Sequence, residues 1–216
     1  MSEMAPEALS QFQKLLDKRC LTDAESAAHY GVDWTKFWTP APGCVLLPET
    51  AEEVQQIVRI ANEQGVALVP SGGRTGLSGA AVAPSGEAVV AFDRMNNILD
   101  FNPYNRAVRI EPGVITEQLQ DYAEEQGLFY PVDFASAGSS QLGGNLATNA
   151  GGIKVIHYGL TRDWVAGLKV VTGDGELLEL NKGLVKNATG YDLRHLFIGS
   201  EGTLGIIVEA TMHLAR

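Results

Sequence analysis

Three glycine-rich segments, "SGGRTGLSG" (71–79), "GSSQLGGNLATNAGG" (138–152) and "GSEGTLG" (199–205), interrupt stretches that otherwise read as short strands and amphipathic helices. Glycine makes up 24 of 216 residues, well above its usual share of about 7%. Glycine weakens regular structure, so such an excess marks places where backbone turns sharply or comes close to something else. Two familiar phosphate-holding patterns are excluded. "GGRTGLSGAA" has no lysine followed by Ser or Thr after its last glycine, as a nucleoside-triphosphate loop needs. None of the segments has the G-x-G-x-x-G spacing of a dinucleotide turn. What remains is the physics of a nest: Ser71, Gly72, Gly73, Arg74, Thr75 and Gly76 can aim successive N–H groups into one concavity, with the Arg74 charge nearby. In the second segment Ser139, Ser140, Asn145, Thr148 and Asn149 alternate with glycine and alanine. That surface suits a flat ligand lying against backbone.

The charge balance narrows the ligand. A net charge of −10 argues against nonspecific nucleic-acid binding, which depends on Lys and Arg neutralising phosphates. Cys20 and Cys44 are too few for a disulfide framework or a metal cluster, and read as thiols of a reducing compartment. The opening "MSEMAPEALSQFQKLLDKR" lacks the apolar core of a secretion signal, and no run reaches the ~18 apolar residues of a membrane span. The expectation is a cytoplasmic protein with no membrane span and a small ligand.

Along the chain, residues 1–40 read as an N-terminal helical segment closing on the aromatic patch "WTKFW", a packing anchor. Thr50 and Glu53 form a capping box for a helix with a Val54, Ile57, Val58 and Ala61 stripe, ended by Gly65. "VALVP" follows as a strand that Pro70 stops, then "AVVAFD" and "AVRIEPG", then a helix from Thr116 to about Gly127. "GLKVVTGDGELLEL" carries Asp174-Gly175 between two apolar runs, a hairpin signal, and "GTLGIIVEATMHLAR" supplies a further long strand. This order predicts an α+β fold with a first lobe over 41–127 and a second over 128–216.

"PSGGRTG", "PVDFASAGSSQLGGNLATNAGG", "HYGLTRDWVAGLKVV" and "VKNATGYDLRHLFIGSEGTLGIIVEAT" stand in an order and spacing that resemble one family. It is the FAD-binding domain of the FAD-linked oxidase superfamily, the p-cresol methylhydroxylase and vanillyl-alcohol oxidase fold. The resemblance covers residues 40–216 and is greatest to the branch of glycolate oxidase FAD subunits, D-lactate dehydrogenases and D-2-hydroxyglutarate dehydrogenases. It implies a two-lobed PCMH-type domain with FAD between the lobes. By the same resemblance Ser71, Gly72, Gly73, Arg74, Thr75 and Gly76 wrap the pyrophosphate, so that a side chain at Gly73 would occupy the pyrophosphate position. Pro131, Asp133, Gly138 and Ser139 line the diphosphate and ribityl region. Gly143, Gly144, Asn145 and Thr148, with Gly152 behind them, sit beside the isoalloxazine. Glu201, Gly202 and Ile206 serve the adenine half or the pocket between lobes. Some relatives bond FAD through a histidine where this chain has Arg74, which implies noncovalent FAD here.

The family reaction passes a hydride from the α-carbon of a small 2-hydroxy acid to the flavin. In the resembled branch the base, the carboxylate-binding arginine and the metal ligands belong mainly to a separate C-terminal substrate domain, which is expected to be absent from this sequence; that domain or a partner subunit is therefore an expected partner. No catalytic residue is assigned: His29 and His213 read as structural, His157 and His195 as packing or surface groups, and Asp163 and Asp192 as turn caps. No HxH or HExxH spacing marks a metal site. Two alternatives stand beside this reading. One is the FAD domain of a sugar, alditol or aromatic-alcohol oxidase of the same fold; the other is a noncatalytic flavin-binding subunit. Apolar surface left without its second domain would also permit a homodimer.

Overall fold

The computed structural model describes residues 4–184 and 186–216. Helix α3 (Ala51–Gln64) forms as its sequence dictates: Thr50 Oγ1 accepts the Glu53 N–H at 3.1 Å, and Gly65 closes the helix at φ 64°. The expected capping box is only half made. The Glu53 carboxylate accepts the Glu49 N–H at 2.7 Å instead of reaching the cap, because it also receives two 2.6 Å hydrogen bonds from the Arg19 guanidinium.

The first sheet has strands β1 (Cys20–Leu21), β2 (Cys44–Leu46), β3 (Leu68–Ser71) and β4 (Ala88–Ala91), in the order β1-β2-β4-β3. β2, β4 and β3 are parallel, and β1 joins antiparallel. A central parallel strand is covered on both faces, so β4 reads "AVVA" and is buried throughout. One face packs on α3 and on α1 (Pro6–Leu16) through Phe12, Leu16, Val54 and Ile57. The other face holds Val45, Leu47, Ala83 and Val89. The N-terminal segment is thus part of this layer, contributing both α1 and β1. Pro70 does not stop β3, which runs on to Ser71; β3 is an edge strand with β4 as its one neighbour, a place where a missing N–H is tolerated.

The second sheet is antiparallel: β5 (Ile98–Asn102), β6 (Ala107–Ile110), β7 (Val165–Thr172), β8 (Leu177–Leu180) and β9 (Gly205–His213), in the order β5-β6-β9-β7-β8. Asp174-Gly175 turns the β7–β8 hairpin as expected, with Gly175 at φ 80°. Val108, Ile110, Leu168, Val170 and Met212 bury one face against α4 (Thr116–Glu125) and α5 (Leu142–Thr148). The opposite face carries Arg109, Lys169 and Glu209 in ion pairs. The divide between the two sheets therefore falls between Ala91 and Ile98 and not at 127. β6 pairs with β9, a partner about a hundred residues away that local patterning does not reveal. Helix α3 ties the layers together, since Gln55 and Arg59 donate to the Gly175 carbonyl and Asn62 to that of Gly173.

Candidate cofactor site

A cleft of about 930 Å³, open mouth included, lies between the end of β3 and helix α5. One wall is the loop from Gly72 to Ala81, the other Gly143, Gly144, Asn145, Ala147 and Thr148 of α5. Ser200, Glu201 and Gly202 close one side, and Phe92, Pro112, Ile206 and Ile207 add apolar surface.

The loop wall is made of free backbone donors. Among the described residues, the N–H groups of Gly72, Gly73, Arg74, Thr75 and Gly76 donate to no protein acceptor. Arg74 is left-handed at φ 59°, an uncommon conformation for a side chain of this size. Its guanidinium donates to the Gly72 carbonyl at 2.7 Å, lies 4.9 Å from the Tyr30 ring centroid and 3.6 Å from Asp93 Oδ1. Arg74 thus ties the loop to its surroundings. Burial, with the Asp93 charge beside it, pushes the Tyr30 phenol above its ordinary pKa.

The opposite wall is mostly paired. The N–H groups of Leu142 and Gly143 donate to Val114 and Pro112 carbonyls, and Asn149 caps the C-terminus at φ 50°. The Leu146 and Ala147 carbonyls accept from Gly199 and Glu201, which docks the third glycine segment on the end of α5. A buried polar knot fixes the helix start: Asn145 Nδ2 donates to Thr116 Oγ1 at 2.6 Å, and Thr116 Oγ1 meets Ser140 Oγ at 2.7 Å. Gln141 Oε1 is buried beside the cleft with no hydrogen-bond partner.

The glycines divide by what faces them. A Cβ at Gly73 would lie 2.2 Å from the Ser139 carbonyl oxygen and 2.8 Å from Ser140 Cα. The expectation that it would occupy a ligand's position is thereby corrected: Gly73 lets the two glycine segments touch. At Gly76 and Gly144 a Cβ would meet nothing within 4 Å, so ligand-facing space opens there. Successive unpaired N–H groups, two open glycine faces and the orphaned Gln141 acceptor together fit a flat molecule with an anionic centre.

Of the residues singled out from sequence, Gly72, Gly73, Arg74, Thr75, Gly76, Gly143, Gly144, Asn145, Thr148, Glu201, Gly202 and Ile206 line this cleft. Six others do not. Ser71 is buried, its hydroxyl donating to the Tyr30 carbonyl. Pro131 is buried outside the cleft, Asp133 pairs with Lys154 at 3.1 Å, and Gly152 packs against the Asp133 carbonyl. Gly138 faces the Glu117 carboxylate, and the Ser139 carbonyl backs Gly73. Sequence reasoning does not single out Asp33 and Thr116, which have no motif around them, nor Gln141, whose glycine and serine neighbours in 138–152 carry the signal instead. The aromatic patch is no buried anchor, for Trp34 and Phe37 are 67% and 79% exposed. None of the four histidines lines the cleft; Asp163 accepts the Leu160 N–H, and Asp192 pairs with Arg194. Burial holds His213 below the ordinary histidine range. No helix among the described residues is long and apolar enough to cross a membrane.

Comparison with known proteins agrees with this geometry. The family described as FAD binding domain matches residues 42–181. A D-2-hydroxyglutarate dehydrogenase of Stutzerimonas stutzeri is 64% identical over 212 residues, covering 98% of this chain and 46% of that protein. One from Xanthomonas citri pv. viticola is 60% identical over 209 residues, covering 97% and 44%. The chain thus spans somewhat under half the length of these relatives. Among solved structures, an alkyldihydroxyacetonephosphate synthase superposes with TM-score 0.87 at 28% identity, over 100% of this chain and 41% of that one. Substrate-bound p-cresol methylhydroxylase superposes with TM-score 0.80 over 97% and 43%; at 22% identity that likeness shows a shared two-lobed α+β fold alone.

Proposed function

The chain belongs to the FAD binding domain family, and from that premise we propose that it is the flavin-holding half of a dehydrogenase acting on a small 2-hydroxy acid. FAD, when bound, supplies the two-electron acceptor for a hydride leaving the substrate α-carbon. The names of the relatives put D-2-hydroxyglutarate first among candidate substrates, ahead of D-lactate and glycolate. The single observation that carries the reading is the run of unpaired N–H groups from Gly72 to Gly76 facing a glycine-rich helix across one cleft. In this reading the loop holds the pyrophosphate, Gly144 and Thr148 approach the ring system, and Gln141 Oε1 accepts from a ring or sugar donor.

Attachment is noncovalent in this proposal. Among the described residues the cleft lining contains no histidine, cysteine, tyrosine or lysine, and Arg74 is occupied by Gly72, Tyr30 and Asp93. The same lining supports a second assignment. Arg74 is the one cation among the described lining residues and is already engaged, so a substrate carboxylate finds no free cation there. Carboxylate binding falls to a C-terminal substrate domain or a partner subunit. Two buried free thiols, Cys20 and Cys44, support a reducing compartment such as the cytoplasm.

The test has two stages. The purified chain mixed with FAD should quench flavin fluorescence and keep the flavin through a desalting column, then release it on denaturation. A protein left yellow after denaturation would refute noncovalent attachment. The full-length protein should then bleach its flavin without oxygen on adding D-2-hydroxyglutarate. Bleaching only by a sugar, alditol or aromatic alcohol would replace this reading with the other oxidase of the same fold.

A further inference from the structure

The geometry points to residues 30–38, outside the matched stretch 42–181, as a strap that holds the phosphate loop in its binding shape, with Asp33 as its positioning residue. A loop whose N–H groups are unpaired has no ladder of its own and is entropically free unless something else fixes it. The strap supplies that fixing at both ends of the loop. At the near end the Tyr30 carbonyl accepts the Ser71 hydroxyl at 3.1 Å, and its ring lies under Arg74. In the middle the Trp34 N–H donates to the Gly76 carbonyl at 3.1 Å. At the far end Asp33 Oδ2 accepts the Gly79 N–H at 2.9 Å, and the Trp38 ring covers the face of Gly79, where a Cβ would lie 2.9 Å from it. Beyond the loop the Ala83 N–H donates to the Gly31 carbonyl.

Asp33 is 3% exposed. Burial opposes its charge, but hydrogen bonds from the Thr35 hydroxyl, the Gly79 N–H and the Thr35 N–H outweigh it and hold the carboxyl below the ordinary aspartate range. A charged acceptor pinned by its own turn makes a rigid post, and Gly79 is tied to it. The strap engages the Gly76 carbonyl, the Gly79 N–H and the Gly79 face, and leaves the N–H groups from Gly72 to Gly76 free for a ligand, which is preorganisation. The inference rests on the reading of this cleft as an FAD site.

The experiment uses the whole chain and two readouts: FAD affinity by flavin fluorescence, and the rate of tryptic cleavage after Arg74 without FAD. Asp33→Asn should weaken FAD binding about tenfold, as loss of a charge-assisted hydrogen bond does, and speed cleavage at Arg74. Trp38→Ala, at a partly exposed site, should do the same more weakly and decides the matter if Asp33→Asn does not fold. If the wild-type chain binds FAD and neither variant changes affinity or cleavage, the strap is refuted. If the wild-type chain ignores FAD while the variants still speed cleavage, the flavin reading falls and the strap remains.

Discussion

The segments 71–79 and 138–152 are both rich in glycine and face one cleft, yet they solve opposite problems. The first is irregular beyond Ser71, keeps the N–H groups of Gly72 to Gly76 unpaired and borrows its shape from residues 30–38. The second folds over Leu142–Thr148 into α5, commits the Leu142 and Gly143 N–H groups to the Val114 and Pro112 carbonyls and is pinned by the Thr116–Ser140–Asn145 knot. They meet where Gly73 lies against the Ser139 backbone. Glycine therefore has three uses here: leaving donors free in the loop, permitting contact at Gly73, and opening space at Gly76 and Gly144.

Substitutions can separate these uses. Gly73→Ala should have the largest effect, because its Cβ meets backbone that cannot step aside. Overpacking of this kind costs about 2–3 kcal/mol, read by urea unfolding, and FAD binding should be lost with it; an unchanged midpoint would mean the segments do not touch. Next comes Thr116→Val, which strips Asn145 Nδ2 of its buried acceptor. A loss of about 1–3 kcal/mol is expected, again in urea, with weaker FAD binding through a displaced α5. Gly144→Ala should split the readouts. It sits in a helix with nothing facing its Cβ, so stability without FAD should rise by roughly 0.5–1 kcal/mol while flavin affinity falls. Gly76→Ala should lower affinity with no gain in stability, since that position is not helical.

The smallest effect concerns the frame beneath both segments. The Arg19 guanidinium, by hydrogen bonding, holds the Glu53 carboxyl below its ordinary pKa. A depressed carboxylate contributes stability above its unfolded pKa of about 4.3. That contribution is lost as pH falls through the lower folded value. Thermal melts from pH 6 downward should therefore show a modest acid loss that Glu53→Gln reduces. An equal acid loss in that variant would remove the pair from the account.

What the sequence revealed was whatever local chemistry decides. Thr50 and Gly65 bracket α3, and Asp174-Gly175 turns a hairpin, because caps and turns need particular residues at fixed offsets. The cleft walls were legible for a related reason: runs of glycine are visible wherever they stand. Helix α5 was hidden because Gly143 and Gly144 lower helix propensity, and docking onto Val114, Pro112 and the 199–201 loop overrides it. The placement of β5 and β6 was hidden because pairing with β9 is non-local. Asp33 was hidden most deeply. Its role depends on a turn that carries it to Gly79, 46 residues further along the chain.

The strand order β5-β6-β9-β7-β8 also bears on assembly. β9 comes last among these strands in sequence but sits at the centre of the sheet, between β6 and β7. Until it is laid down, β5–β6 and β7–β8 are separate hairpins, and Ile206 and Ile207 have not reached the cleft. Closing such distant pairs is slow, because the entropy of ordering the intervening chain is lost before contacts repay it. A cofactor that binds only the finished cleft stabilises the completed fold by mass action.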